Sequence, residues 1–250
     1  MTILKLKKLE LILGLTKRVL KKFLLPSMRT IVVVPAFNEA RTVSKVVREI
    51  KEEIDKVVVI DDGSVDQTGD LARQAGATVL THFLNRGQGA ALQTGINFAI
   101  KLGADIIVTF DADGQLRADE IGQITKPLLL GETDIVLGSR FLKKENEIPL
   151  ARKIVLKLAI WFTRLYTGLP ITDTHNGFRA FSRKAAELIE IRQDGMAHAS
   201  EIIEQIKRHQ LKFKEVPVTV RYSDYSLQKG QKLSNSFRIL WDLIISRFSK

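Results

Sequence analysis

Ile106-Ile107-Val108-Thr109-Phe110-Asp111-Ala112-Asp113-Gly114-Gln115 reads as a buried strand that runs straight into two carboxylates one residue apart. The run of apolar residues lacks the in-out alternation of a half-exposed strand, as expected where helices cover both faces of a sheet. The same form recurs on either side. Val57-Val58-Val59-Ile60 ends in Asp61-Asp62-Gly63-Ser64, and Ile31-Val32-Val33-Val34 leads through Pro35-Ala36-Phe37 to Asn38-Glu39. Strands are predicted at 30–35, 56–61, 77–82, 105–110 and 134–138, separated by amphipathic helices near 40–54, 67–75, 88–102 and 118–130. This alternation predicts an α/β fold with a Rossmann-like, mostly parallel sheet flanked by helices and joined by right-handed crossovers. Ligands of such sheets bind beyond the carboxyl ends of the strands. The turns at Asn38, Asp61, Asn85 and Asp111 should therefore converge on one edge.

The 250 residues are enough for one large domain around a single core. Cysteine is absent, which excludes disulfides, thiolate metal sites and cysteine nucleophiles. The net charge is +11, and residues 1–29 hold eight Lys or Arg against Glu10, so +7 of it lies in that segment. Residues 1–28 form a basic amphipathic segment and 29–250 the folded domain. On a helical wheel, Leu9, Ile12, Leu13, Val19, Leu20, Phe23 and Leu24 share a broad face opposite Lys17, Arg18, Lys21 and Lys22. Such a helix suits an anionic membrane surface ahead of the alternative, a basic helix packed on its own domain. No apolar run approaches the roughly 18–20 residues that cross a bilayer, and no cleavable secretion pattern opens the chain.

After Arg140 the pattern loosens. Residues 152–167 predict a helix rich in large apolar groups, with Lys153, Lys157, Trp161, Arg164 and Tyr166 spaced along it. It fits a core helix with extended lysines or a helix at a lipid headgroup boundary. A helix at 198–209, a strand at 213–222, a polar loop through Lys232 and an amphipathic helix at 234–248 complete the chain.

Carboxylates at i and i+2 of an extended turn point the same way, so Asp111 and Asp113 can share one hard divalent ion that also holds phosphate, with Gln115 next on the same alternation. Mg²⁺ and Mn²⁺ suit an oxygen-only set. Asp at the end of the second strand can accept hydrogen bonds from a ribose or a base. There is no Gly-x-Gly-x-x-Gly after the first strand and no phosphate-binding Gly-Lys-Ser loop, which disfavours dinucleotide oxidoreductases and P-loop enzymes. The positive excess sits in one amphipathic end and not beside stacking aromatics, which disfavours nucleic acid as a partner.

Five ordered motifs carry a specific resemblance. They are Val34-Pro35-Ala36-Phe37-Asn38-Glu39, Asp61-Asp62-Gly63-Ser64-x-Asp66-x-Thr68, Asn85-Arg86-Gly87-Gln88-Gly89-x-Ala91, Asp111-Ala112-Asp113-Gly114-Gln115 and Gly138-Ser139-Arg140. Over residues 30–222 the chain resembles family 2 glycosyltransferases, in the branch of dolichyl-phosphate mannose synthases and polyprenyl-phosphate glycosyltransferases. The resemblance implies a GT-A fold, a nucleotide-diphosphate sugar donor (a GDP- or UDP-sugar) and inversion at the anomeric carbon. It places Pro35, Ala36, Asn38 and Glu39 in the nucleoside pocket, with Asp62 near the base and Asp61 behind it. Asp111 and Asp113 would hold Mg²⁺ or Mn²⁺ and the diphosphate with Gln115 beside them, Gly89 would belong to the diphosphate loop, and Arg140 would reach phosphate. Gln88 departs from the Lys that many relatives carry between the two glycines.

Asp173-Thr174-His175-Asn176-Gly177-Phe178-Arg179 resembles the Asp-x-x-x-Gly-Phe segment of the branch. His175 and Arg179 serve acceptor or phosphate there, or else the segment only shapes the floor. Glu201 stands where relatives often place an acid facing the acceptor. It is the candidate base for a hydroxyl acceptor; a lipid phosphate attacks already ionised and needs no strong base. Arg140, Arg179, Arg221, Lys229 and Lys232 are the cations available to such a phosphate, the last two in a basic loop at 226–232. The expected function is hexose transfer to polyprenyl or dolichyl phosphate by a peripheral protein on the cytoplasmic face of an anionic membrane. An integral-membrane protein partner is compatible with it and not required. A glycosyltransferase with a hydroxyl acceptor and a non-catalytic nucleotide-sugar-binding or membrane adaptor protein of the same fold are the alternatives.

Overall fold

The computed structural model describes residues 28–143, Ile148 and 150–222. The N-terminal segment 1–27, the loop with Lys229 and Lys232, and the helix expected at 234–248 lie outside the described residues. In chain order the elements are β1 (Thr30–Ala36), α1 (Val43–Glu53), β2 (Lys56–Asp61), α2 (Thr68–Gln74), β3 (Thr78–Thr81), α3 (Gln88–Lys101) and β4 (Ile106–Thr109). A 3-10 turn at Ala118–Glu120 leads into α4 (Ile121–Leu129) and β5 (Ile135–Ser139). A second such turn at Arg140–Leu142 precedes α5 (Leu150–Thr167), β6 (Arg179–Ser182), α6 (Arg183–Leu188), α7 (His198–Arg208) and β7 (Phe213–Pro217).

The strands form one seven-stranded sheet in the order β3-β2-β1-β4-β6-β5-β7. Alternate residues of each strand enter different cores. Val32, Val34, Val57, Val59, Ile106 and Val108 pack with Val43, Val46, Val47 and Ile50 of α1 and Ile121 and Ile124 of α4. Ile31, Val33, Val58, Ile60 and Ile107 pack on the other side with Ile96 of α3 and Ile202, Ile203 and Ile206 of α7. Both faces are thus covered, which is why the strands read as unbroken apolar runs. At roughly 1.5–3 kcal/mol for each fully buried Val or Ile, these two layers dominate the stability of the fold.

β1 lies between β2 and β4, and β2 pairs with β3, all in parallel. Their carboxyl ends, at Ala36, Asp61, Thr81 and Thr109, therefore share one edge, and the polar turns follow there. β6 is the element that propensity did not signal. It pairs antiparallel with both β4 and β5, setting Arg179 opposite Thr109 and Leu137. Because it runs backwards, its first residue, and not its last, faces the same edge. β7 pairs parallel with β5 and is shorter than the strand expected at 213–222. Pro217 ends it, and the chain beyond keeps one bridge, Val220 to Leu116.

Candidate active site

Beyond the strand ends lies a cleft of about 370 Å³ lined by Pro35, Ala36, Glu39 and Asp62 on one wall, Gln88, Asp111, Asp113 and Gln115 at the centre, and Arg140, His175, Asn176, Gly177, Arg179 and His198 on the other. A volume of this order holds a small-molecule ligand. Not every expected nucleoside residue faces it. Asn38, in the left-handed region at φ 53°, locks two turns together. Its N–H donates to Ser64 Oγ (2.9 Å) and its Oδ1 accepts from Val65 N–H (3.0 Å). Asp61 accepts from Ser64 N–H at 3.0 Å. Asn38 and Asp61 thus shape the wall from behind. Glu39 is buried at the rim, its N–H donating to Thr68 Oγ1 (2.7 Å) and its carboxylate accepting from Thr42 Oγ1 (3.0 Å).

Asp62 is a hub. It accepts from Arg86 N–H (3.0 Å), Gly87 N–H (2.7 Å) and His82 Nδ1 (2.6 Å), and His82 Nε2 meets Thr94 Oγ1 at 3.0 Å. One carboxylate so ties the end of β2 to the start of the Gly-rich loop and, through His82, to α3. His82 was missed because nothing local marks it: it lies 20 residues from Asp62 and 12 from Thr94. Opening this loop should weaken donor binding more than turnover. Hydrogen bonds to charged groups are worth about 1.5–3 kcal/mol, so His82→Ala is expected to raise donor KM by roughly 10-fold or more with a smaller change in kcat. His82→Asn, which returns an N–H donor near the Nδ1 position, should recover most of the loss. Equal KM values for all three proteins would dismiss the hub.

The second glycine of the loop is fixed from outside. A Cβ on Gly89 would lie 1.9 Å from Gln193 O, and Gly89 N–H donates to Asp194 O at 2.7 Å. The 192–194 segment is held in turn by Glu201, whose carboxylate accepts from Arg192 N–H and Gln193 N–H at 3.0–3.1 Å. Glu201 is therefore turned to backbone in the first turn of α7 and lies outside the cleft lining.

Asp111 sits at the cleft floor. Burial, reinforced by the charge of Asp113 and opposed by Arg179 and Arg140, pushes its carboxyl up to about 7. Gln88 Nε2 donates to Asp111 Oδ1 at 3.0 Å, so the residue standing in place of Lys still reaches the acidic pair, as a neutral donor. A Cβ on Gly177 would fall 2.3 Å from Asp111 Oδ2, and the Gly177 carbonyl accepts from Thr109 Oγ1 at 2.7 Å. Only glycine lets the floor pass this close. Asp113 accepts from Gln115 N–H at 2.9 Å. The donor set is all oxygen, and among the described residues no third His, Asp or Glu joins the pair as a preformed metal cage. Two crowded carboxylates of this kind fit a hard divalent ion that completes its shell with water and ligand phosphate.

The opposite wall is cationic. Arg140 donates from its N–H (3.0 Å) and Nε (2.7 Å) to Asp173, from Nη2 to His175 O (2.8 Å) and from Nη1 to Tyr222 Oη (3.2 Å). Burial pulls its acidity one way, and Asp173 with Tyr222 hold its pKa above the ordinary guanidinium value. Arg179 donates to Thr174 O at 2.9 Å; burial lowers its pKa to about 10 against the pull of Asp111 and Asp173. Burial likewise drops His175 to about 4 and His198 to about 3, so both are neutral near neutral pH. His175 Nδ1 and Asn176 Nδ2 are buried without a protein partner, bare polar groups in residues that line the cleft. Asp173 stays behind the wall as the anchor of Arg140. Arg221 lies outside the lining, its N–H on Gln115 O (2.8 Å); its side chain adds to Arg117, whose hydrogen bond is the main cause that lowers the Asp119 carboxyl.

The fold is similar to that of glucosyl-3-phosphoglycerate synthase from Mycobacterium tuberculosis, crystallised with Mn²⁺ and UDP-glucose: TM-score 0.70 at 20% identity, covering 100% of this chain and 83% of that one. It is the GT-A fold. Residues 31–189 match the model described as Glycosyl transferase family 2, and the chain belongs to that family of enzymes. It is 40% identical over 221 residues to Uncharacterized protein MJ1222 of Methanocaldococcus jannaschii, covering 86% of this chain and 91% of that protein. It is 30% identical over 240 residues to the UDP-N-acetylglucosamine–dolichyl-phosphate N-acetylglucosaminyltransferase of Methanococcus voltae, covering 87% and 96%.

Proposed function

We propose that the chain transfers a hexose, with inversion, from a GDP- or UDP-sugar to a polyprenyl or dolichyl phosphate at the cytoplasmic surface of a membrane. The observation that carries this reading is that one cleft is lined by Asp111 and Asp113 together with Pro35, Ala36, Glu39 and Asp62 and with Arg140 and Arg179. Asp111 and Asp113, with Gln115 beside them, would hold Mg²⁺ or Mn²⁺ together with the donor diphosphate. Such an ion, when bound, supplies Lewis-acid stabilisation of the departing nucleoside diphosphate. Pro35, Ala36 and Glu39 border the nucleoside, and the loop pinned by Asp62 flanks the diphosphate. His175 Nδ1 and Asn176 Nδ2 offer hydrogen bonds to the sugar or acceptor.

The placing of Glu201 favours a phosphate acceptor over a hydroxyl. Both of its oxygens serve backbone N–H groups, so the expected base is engaged elsewhere. A phosphate oxygen is already anionic and needs orientation, which cationic side chains supply. The Methanococcus voltae relative, named for transfer to dolichyl phosphate, points the same way.

The test is turnover of a panel of GDP- and UDP-sugars by the full chain, with Mg²⁺ or Mn²⁺ and polyprenyl phosphate in detergent, UDP-N-acetylglucosamine first. One donor should give a glycosylated lipid phosphate, and chelation should stop it. Transfer to a hydroxyl acceptor while lipid phosphate stays inert would overturn the acceptor assignment.

A further inference from the structure

Among the described residues, helix α5 is covered on one side only. Ala159, Ile160, Thr163 and Thr167 are buried against the domain, and Arg164 Nε donates to Ile171 O at 2.5 Å. Leu150 is 74% exposed, Ile154 53%, Leu158 51%, Trp161 63% and Leu165 71%. At about 100° per residue these five fall within an arc of roughly 80°, a stripe running the length of the helix, about 22 Å. Scattered apolar residues are ordinary on a protein surface; a continuous row that includes Trp is not. Lys153, Lys157 and Arg164 fall in a second row directly alongside, and α5 contains no acidic residue.

Charge decides what covers the stripe. Residues 1–27 carry seven Lys or Arg against Glu10, and residues 223–250 carry five against Asp224 and Asp242, so either terminal segment would bring more positive charge to a basic helix. A second copy of α5 would do the same. An anionic bilayer satisfies both rows at once, with apolar side chains in the acyl boundary, cations at lipid phosphates and the indole at the headgroup level. No helix among the described residues is long and apolar enough to cross a membrane.

We propose that α5 docks the protein on an anionic bilayer, the Leu150–Leu165 stripe inserted and Lys153, Lys157 and Arg164 on the headgroups. Six residues beyond its end the chain reaches Asp173, then His175 to Arg179 of the cleft wall, so docking brings that wall to the leaflet. The orientation toward acceptor rests on the proposed function; the docking itself does not.

The experiment uses the full chain with vesicles of phosphatidylglycerol and phosphatidylcholine, or of phosphatidylcholine alone. The double variant Leu158→Glu/Leu165→Glu changes only exposed positions, and unaltered thermal unfolding will verify its fold. Its partition onto anionic vesicles should fall by at least about 10-fold, given the transfer energy of two Leu side chains. In a Trp241→Phe background, Trp161 emission should shift to the blue only on adding anionic vesicles. Unchanged partition of the variant would overturn the proposal, as would Trp161 emission already blue before lipid is added, which would mean that the chain or a second copy covers the stripe. Transfer to a short, water-soluble prenyl phosphate should be equal in variant and wild type. Its absence in both would sink the proposed function while leaving the vesicle result standing.

Discussion

Asp113→Ala is expected to lower sugar transfer by about 10³-fold or more, because the divalent ion that Asp111 and Asp113 are proposed to hold would contribute several kcal/mol to the departure of the nucleoside diphosphate. Asp113 is the better of the two acids to remove. Asp111 is wedged against Gly177 and bonded to Gln88, so its loss would also disturb the floor and the Gly-rich loop. Asp113 is half-buried and accepts from Gln115 N–H in a short turn. Asp113→Asn keeps an acceptor for that turn and removes only the charge. It should match the Ala variant in activity, and Mn²⁺ binding in the presence of UDP, followed by calorimetry, should weaken in both. Transfer within about 10-fold of wild type in the Asn variant would place the ion on other ligands.

The second large effect is on stability. Asp173 and Arg140 form an ion pair at 2.7 Å with both side chains almost wholly buried. Asp173→Ala strands the guanidinium without its counter-charge, and breaking a buried pair from one side costs about 3–5 kcal/mol. It also removes the acceptor for Arg140 N–H. Urea unfolding of Asp173→Ala should show that loss, and Asp173→Ala/Arg140→Met should recover much of it by removing the stranded charge. The double variant is nevertheless expected to stay inactive, since a wall cation has gone with the charge. A loss under about 1 kcal/mol in the single variant would mean that Arg140 is held without Asp173, contrary to the reading of a buried pair.

The strands whose carboxyl ends carry the site were legible because burial on both faces leaves so little freedom in composition: β1, β2 and β4 can hardly be read otherwise. The acidic pair was legible because the period of an extended chain sends i and i+2 to one side. β6 was hidden because it has four residues, opens with Arg179 and borrows its stability from β4 and β5 on either side. His82 was hidden for a related reason, since its partners come from other elements. Glu201 shows the converse: its residue type fits a catalytic role, and only the fold reveals that loop 192–194 has taken both oxygens. For α5 the sequence left core and lipid contact open; one side of the helix belongs to the core and the other is exposed.

The absence of a side chain at Gly177 has a thermodynamic meaning. A carboxylate at the end of a strand ordinarily samples several rotamers, and ordering it around a ligand costs free energy at the moment of binding. At Asp111 one oxygen lies 2.3 Å from where a Gly177 Cβ would stand and the other accepts from Gln88 Nε2 at 3.0 Å, so the carboxylate fills the room that the glycine leaves and is held there in the folded chain. That ordering is completed while the chain folds. Asp111, an acid whose anion is disfavoured by its burial, is thus also one whose direction is set before any ligand arrives.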